Sequence, residues 1–194
     1  PGIGPKAATR FVFYFLRRPG EEIDELVDSL SQLKKTIRLC SFCLNPFEPK
    51  KAESPESARG RETLCHICSD PRRDRQLLSL VEKETDLELL EKTHRYNGLY
   101  FVLGTLLTPL KKRETEKQIV EGLLKRVKQN SFKEAIIAIS YTTEGEATSL
   151  YLERLLKPFN FKITRLGRGL PIGAEIEYAD EETLSSALEN RKEI

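Results

Sequence analysis

Four cysteines in two tight pairs constrain this chain more than any other feature. Cys40-Ser41-Phe42-Cys43 and Cys65-His66-Ile67-Cys68 are CxxC knuckles separated by 21 residues, and no cysteine lies elsewhere. Two intervening residues let both thiolates of a knuckle reach one ion, while the amides between them can hydrogen-bond the sulfurs. Four such donors close a tetrahedron around zinc, which leaves no open position for a substrate. The spacing therefore predicts a structural Zn2+ site made of Cys40, Cys43, Cys65 and Cys68. The rival reading, two redox pairs, needs a thioredoxin-like strand-helix-strand setting that neither knuckle has. His66 lies inside the second knuckle and reads as a bystander.

The knuckles divide two stretches of different rhythm. Before them, Pro1-Gly2-Ile3-Gly4-Pro5 forms a glycine-proline turn, and Ala7, Ala8, Phe11, Val12 and Phe15 recur at helical spacing. Pro19-Gly20 stops that helix, and Ile23, Leu26, Val27, Leu30 and Leu33 mark a second one. Between the knuckles, Pro46, Pro49, Pro55 and Gly60 make the polar insert a loop with no core of its own. From Leu77 onward strands and helices alternate. Strands are predicted over residues 77–82, 99–104, 135–140, 162–166 and 175–178, with helices ending near 94 and covering 117–129 and 145–157. Short apolar runs separated by helices specify a parallel sheet covered on both faces. The predicted fold class is thus α/β: a mostly parallel sheet with helices on both faces, preceded by a small helical hairpin and a four-cysteine finger.

Charge is informative through its placement. The net charge is only +2, yet residues 1–20 carry Lys6, Arg10, Arg17 and Arg18 and no acid. A second basic knot, Arg72, Arg73 and Arg75, follows the last cysteine, whereas residues 81–194 hold 18 basic and 19 acidic side chains. A phosphate-binding surface is therefore expected in the first 80 residues. Lys6 and Arg10 lie four apart on one helix face, at a helix start whose free amides can receive a phosphate. An ordinary glycine-proline cap with solvated basic residues fits that segment equally well. No GxxxxGK[ST] loop occurs, and no run of 18 apolar residues that would cross a membrane. The chain also lacks Met, which predicts a missing natural start.

Acidic groups gather at the far end of the sheet. Glu82 closes the first strand, Asp86 lies one helical turn on, and Glu144 and Glu146 follow the third strand. The crevice of an open α/β sheet lies beyond the carboxyl ends of its strands. These acids could hold a divalent ion there, or form a negative surface for a protein partner, which is the preferred reading. Thr143 and Glu146 also have capping-box spacing.

Taken in order, these landmarks resemble the RecR family from end to end. The resemblance rests on Pro1-Gly2-Ile3-Gly4-Pro5-Lys6, the paired knuckles, Cys68-Ser69-Asp70-Pro71-Arg72-Arg73 and Leu80-Val81-Glu82. It continues through Thr143-Glu144-Gly145-Glu146-Ala147-Thr148, Gly169-Leu170-Pro171-Ile172-Gly173 and Glu177-Tyr178-Ala179-Asp180. It implies a helix-hairpin-helix module over residues 1–39 and a zinc finger over 40–71. A Toprim domain over 75–168 and an exchanging arm over 169–194 follow. It further implies a non-catalytic bacterial, cytoplasmic DNA-repair scaffold, assembled as a homo-oligomer, typically a tetrameric ring. Such a scaffold works with RecO and RecF to help load RecA at gaps. Lys6 and Arg10 match the DNA-facing positions, and Glu82, Asp86 and Glu144 the RecO-facing acids. Two readings compete: a magnesium-dependent Toprim nuclease or primase using Glu82 and Glu144, and a zinc-bearing protein-interaction module. Ser140-Tyr141-Thr142 stands where catalytic Toprim enzymes carry DxD and where RecR relatives usually show Asn-Pro. The helix that normally precedes the glycine turn is absent, and the zinc insert is long.

Overall fold

The computed structural model describes residues 2–49, 63–107, 114–191 and 193. It divides into two compact units, residues 1–41 with 46–65, and residues 42–45 with 66–194. The first contains helix α1 (Pro5–Leu16), helix α2 (Gly20–Thr36) and a two-stranded antiparallel ladder. That ladder pairs β1 (Arg38–Leu39) with β2 (Pro46–Phe47), Arg38 opposite Phe47. Pro5 at the first turn of α1 supplies a fixed φ and lacks an amide hydrogen that would have no partner there. Glu21 and Glu22 begin α2 and Lys34 and Lys35 end it, which complements the helix dipole. The apolar positions at helical spacing form faces as expected, yet no residue of either helix is buried. The insert expected to be a loop has residues 50–62 outside the described ones.

The second unit is built on a four-stranded parallel sheet. After the short helix α3 (His66–Ser69) come β3 (Leu77–Val81), α4 (Glu84–Lys92) and β4 (Leu99–Val102). Then follow α5 (Glu114–Gln129), β5 (Glu134–Ala138), α6 (Thr143–Leu156), β6 (Lys162–Arg165) and α7 (Glu181–Glu189). Strand order is β4-β3-β5-β6. Val81 stands opposite Val102 on one side and Ala138 on the other. Because parallel crossovers are right-handed, the β3–β4 connection and the two that run the other way place their helices on opposite faces. The core agrees: Leu78, Leu80, Phe101 and Ile137 share a buried cluster with Leu123 and Val127 of α5 and Leu152 and Leu156 of α6. Leu87 of α4 is buried outside that cluster.

Two expectations fail here. Residues 175–178 do not form a strand; Ile176–Tyr178 is a single 3-10 turn with Ile176 and Tyr178 exposed. Alternating polar and apolar side chains fit a strand only where a neighbouring edge supplies hydrogen bonds. Here the ladder stops at β6 among the described residues. The capping box at Thr143 and Glu146 is also displaced. Thr142 is the N-cap of α6, its hydroxyl accepting from the Gly145 amide at 3.1 Å, and Glu146 points elsewhere.

Candidate metal centre and charged surfaces

The four cysteines converge. Their sulfurs all lie within 4.8 Å of one another, and all four residues are buried. Cys40 follows β1, and Cys65 precedes α3, which contains Cys68. The Cys65 amide donates to Cys40 Sγ at 3.3 Å. The Ser41 amide donates to the Thr63 carbonyl at 2.7 Å. After Cys43 the chain turns through Leu44 in the left-handed region, at φ 65°. Leu44 and Phe42 both pack on the sheet's core cluster, and the Val102 amide of β4 donates to the Cys43 carbonyl. Sulfurs bound 2.3 Å from a shared ion would stand about 3.8 Å apart. An all-thiol, buried set at this spacing therefore fits a thiophilic tetrahedral ion. His66 is exposed and outside the cluster.

Lys6 and Arg10 both lie exposed on α1. Gly4 is the N-cap of that helix, and no acid occupies its first turn. Further along, Arg10, Phe13, Tyr14, Arg17, Arg18 and Pro19 line a shared concavity. The Arg18 guanidinium lies 4.5 Å from the Tyr14 ring centroid. Phe13 and Tyr14, on this surface, lie outside the apolar positions that recur at helical spacing in the sequence. The clue was the adjacency of Phe13-Tyr14-Phe15 to Arg17-Arg18.

The second basic knot is partly structural. Arg73 forks onto Glu91, with Nη1 2.8 Å from Oε1 and Nη2 closing on the other oxygen, and it also reaches the Gly98 carbonyl. Burial alone would raise the Glu91 carboxyl, but the Arg73 guanidinium outweighs it and holds the group low. Arg72 is exposed and grips Asp70, whose carboxyl its hydrogen bonds pull down to about 2. Only Arg75 of the three is both exposed and outside these pairs, so the knot offers less to phosphate than its composition suggests.

The acids fall at the carboxyl edge of the sheet. Glu82 follows β3, and Glu144 lies in the first turn of α6, just after β5; these strands are neighbours at the point where strand order reverses. That point is where an open parallel sheet makes its crevice. Glu82 is largely buried and pairs with Lys83 Nζ at 3.0 Å. Asp86 is committed to the start of α4, accepting from the Lys83 amide at 3.0 Å. Glu144 is exposed. Among the described residues, the four cysteines are the one group of three or more His, Cys, Asp or Glu drawn together as metal ligands would be.

One cluster was not foreseen. Glu146 accepts from Arg165 Nη1 at 2.8 Å and from Arg168 Nη2 at 2.7 Å, and Arg165 chiefly accounts for its lowered carboxyl pKa. Both guanidiniums lie over the Tyr141 ring, 4.2 and 4.0 Å from its centroid. Partners about twenty residues apart leave no periodic trace in a sequence.

Residues 76–167, which hold the parallel sheet, match the Toprim domain family, so this is a Toprim-bearing chain with a four-cysteine cluster. Residues 169–192 match the family described as RecR, C-terminal. The chain is 44% identical over 194 residues to Recombination protein RecR of Bifidobacterium animalis subsp. lactis (strain AD011), covering all of this chain and 90% of that one. It is 42% identical to the protein of that name from Rippkaea orientalis (strain PCC 8801 / RF-1), again over its full length and 91% of the relative. With that of Lactococcus lactis subsp. cremoris (strain MG1363) it shares 41%, at the same coverage. The chain belongs to the RecR family.

Proposed function

We propose that this chain is a zinc-stapled, non-catalytic DNA-binding scaffold of recombinational repair. It works with RecO, and with RecF in some settings, to help load RecA at DNA gaps in the bacterial cytoplasm. The observation that carries the reading is the full-length relation to proteins named for recombination, joined to a buried four-thiol cluster. In this reading residues 1–39 hold DNA, 40–71 form the zinc finger, 75–168 the Toprim domain and 169–194 the arm. The arm region coincides with the RecR C-terminal match.

Each part has a physical role. Zinc bound by Cys40, Cys43, Cys65 and Cys68 supplies rigidity and no reactive position. Lys6 and Arg10 neutralise backbone phosphates beside the amides of α1, so binding ignores base sequence and weakens steeply with salt. Glu82, Asp86 and Glu144 give the sheet edge a negative face for RecO. Support for the absence of catalysis comes from Ser140-Tyr141-Thr142, which offers no carboxylate after β5, and from the pairing of Glu82 with Lys83. Apolar residues left exposed on α1 and α2, among them Phe11, Val12, Leu30 and Leu33, support a homo-oligomer such as a tetrameric ring. No described helix is long and apolar enough to cross a membrane.

The test is a DNA-binding titration across a salt series. Lys6→Ala and Arg10→Ala should each weaken binding on every sequence and each flatten the log–log salt slope by about 0.9 on duplex DNA. Unchanged affinity in both variants would end the DNA-facing assignment. Magnesium-dependent strand cleavage lost in Glu82→Gln would replace the scaffold with an enzyme.

A further inference from the structure

The C-terminal arm has a thin apolar anchor: Leu184 and Ala187 of α7 are only half-buried. Helix α7 buries none of its residues, and Ile172, Ile176, Tyr178 and Leu188 are each at least 66% exposed. A segment fixed by packing would hide such side chains, since their burial is the main force that could hold it. Arg168 is where the polar contacts to the arm gather among the described residues. Arg168 Nη1 lies 2.6 Å from Glu182 Oε1 in the first turn of α7. The Asn190 side-chain amide, at the C-cap of α7, donates to the Arg168 carbonyl at 3.3 Å. Arg168 Nη2 lies 2.7 Å from Glu146 Oε1 on α6. Its guanidinium is also set over the Tyr141 ring, and the Tyr141 hydroxyl donates to the Leu166 carbonyl.

We propose that Arg168 is a latch: it bridges Glu146 on the sheet unit to Glu182 on the arm, and opening this bridge frees residues 169–191 from their own chain. The planar guanidinium suits the task because its fork can engage two carboxylates at once, which an ammonium cannot do with the same geometry. Arg165 shares Glu146 and keeps that carboxylate in place when Arg168 leaves. The outer half of the bridge is weak by design of its surroundings. Glu182 is 79% exposed, so the pair is screened by salt and competes with water. A strap held by charge and carrying uncovered apolar residues is ready to transfer them to another surface. That use rests on the assembly reading above; the latch itself does not.

Hydrogen exchange on the full, metal-loaded chain tests it. In wild type, raising salt to about 0.5 M, where the Debye length is roughly 4 Å, should speed exchange of the α7 amides by about fivefold. Arg168→Ala should show that faster exchange already at low salt and respond little to more, with Arg168→Lys in between. Glu182→Gln, a change at an exposed position, should reproduce Arg168→Ala and reads the same contact if Arg168→Ala does not fold. Amides of β3 and β5 should not change in any variant. The latch is refuted if α7 exchanges alike in wild type and variants, if salt accelerates them equally, or if β3 and β5 loosen in step with α7. Native mass of the same samples judges the assembly separately: single chains in every buffer would sink the ring and leave the exchange result to decide the latch.

Discussion

A Cβ placed on Gly145 would lie 2.0 Å from the Ser140 carbonyl oxygen and 3.1 Å from Thr142 Oγ1. The second contact is with the hydroxyl that caps α6, and the first is with backbone that cannot rotate away. Gly145→Ala must therefore push the loop after β5 off the helix start. Overpacking of this kind costs about 1–3 kcal/mol, so thermal unfolding should shift down by several degrees. The expectation fails if the variant melts with wild type. Glu91 is a second residue with a legible consequence. Its carboxyl is held below its ordinary value in the folded chain, so the Arg73 pair stabilises fully above the ordinary carboxylate range. That stability drains away as pH falls through the lowered value. Glu91→Gln should cost about 1–3 kcal/mol at neutral pH, with the gap to wild type closing as acid protonates the native carboxylate. Urea unfolding from pH 7 to pH 3 measures this, and a constant gap would contradict it.

Between elements, Thr148 joins parts of the chain that lie far apart in sequence. Buried on α6, its hydroxyl accepts from the Leu107 amide at 3.0 Å and donates to the Leu107 carbonyl at 3.1 Å. Thr148→Val keeps the shape and orphans both backbone groups, a loss of about 1–3 kcal/mol that Thr148→Ser should largely restore. Equal stability of the Val and Ser variants in chemical denaturation would show the bonds to be idle. Elements with a strong local signature were legible beforehand. Leu77–Val81, Leu99–Val102 and Glu134–Ala138 read as strands because they are buried on both faces, and the CxxC spacing alone foretold which four thiols meet. What escaped depends on partners distant in sequence. Arg73 read as part of a basic knot, yet Glu91 holds it, and Glu146 read as a sheet-end acid or a helix cap, yet Arg165 and Arg168 hold it. Helix α7 went unforeseen although Asp180 caps it through the Thr183 amide at 2.8 Å. The alternation of residues 175–178 just before it suggested a strand instead.

At the scale of the whole molecule, the proposed DNA-facing surface of one chain would make few phosphate contacts. If Lys6 and Arg10 hold DNA as proposed, one chain alone would release few counterions and bind weakly, whereas several copies around one duplex would make the grip tight and its salt dependence steep. Helix α1, which carries those cations, and its neighbour in sequence α2 also carry apolar side chains that a single chain leaves exposed, Phe15 and Leu16 on α1 and Val27 and Leu30 on α2. If copies meet through these faces, a charge placed there weakens DNA binding without touching a phosphate contact. Leu30→Glu should lower the native mass and reduce affinity for long duplex by about 10²-fold, the order that lost multivalency gives. It should leave affinity for a duplex too short to span two copies nearly unchanged. Lys6→Ala would behave differently, weakening both duplexes in proportion. An unchanged mass with a uniform loss on both lengths would mean that Leu30 faces DNA rather than a neighbouring copy.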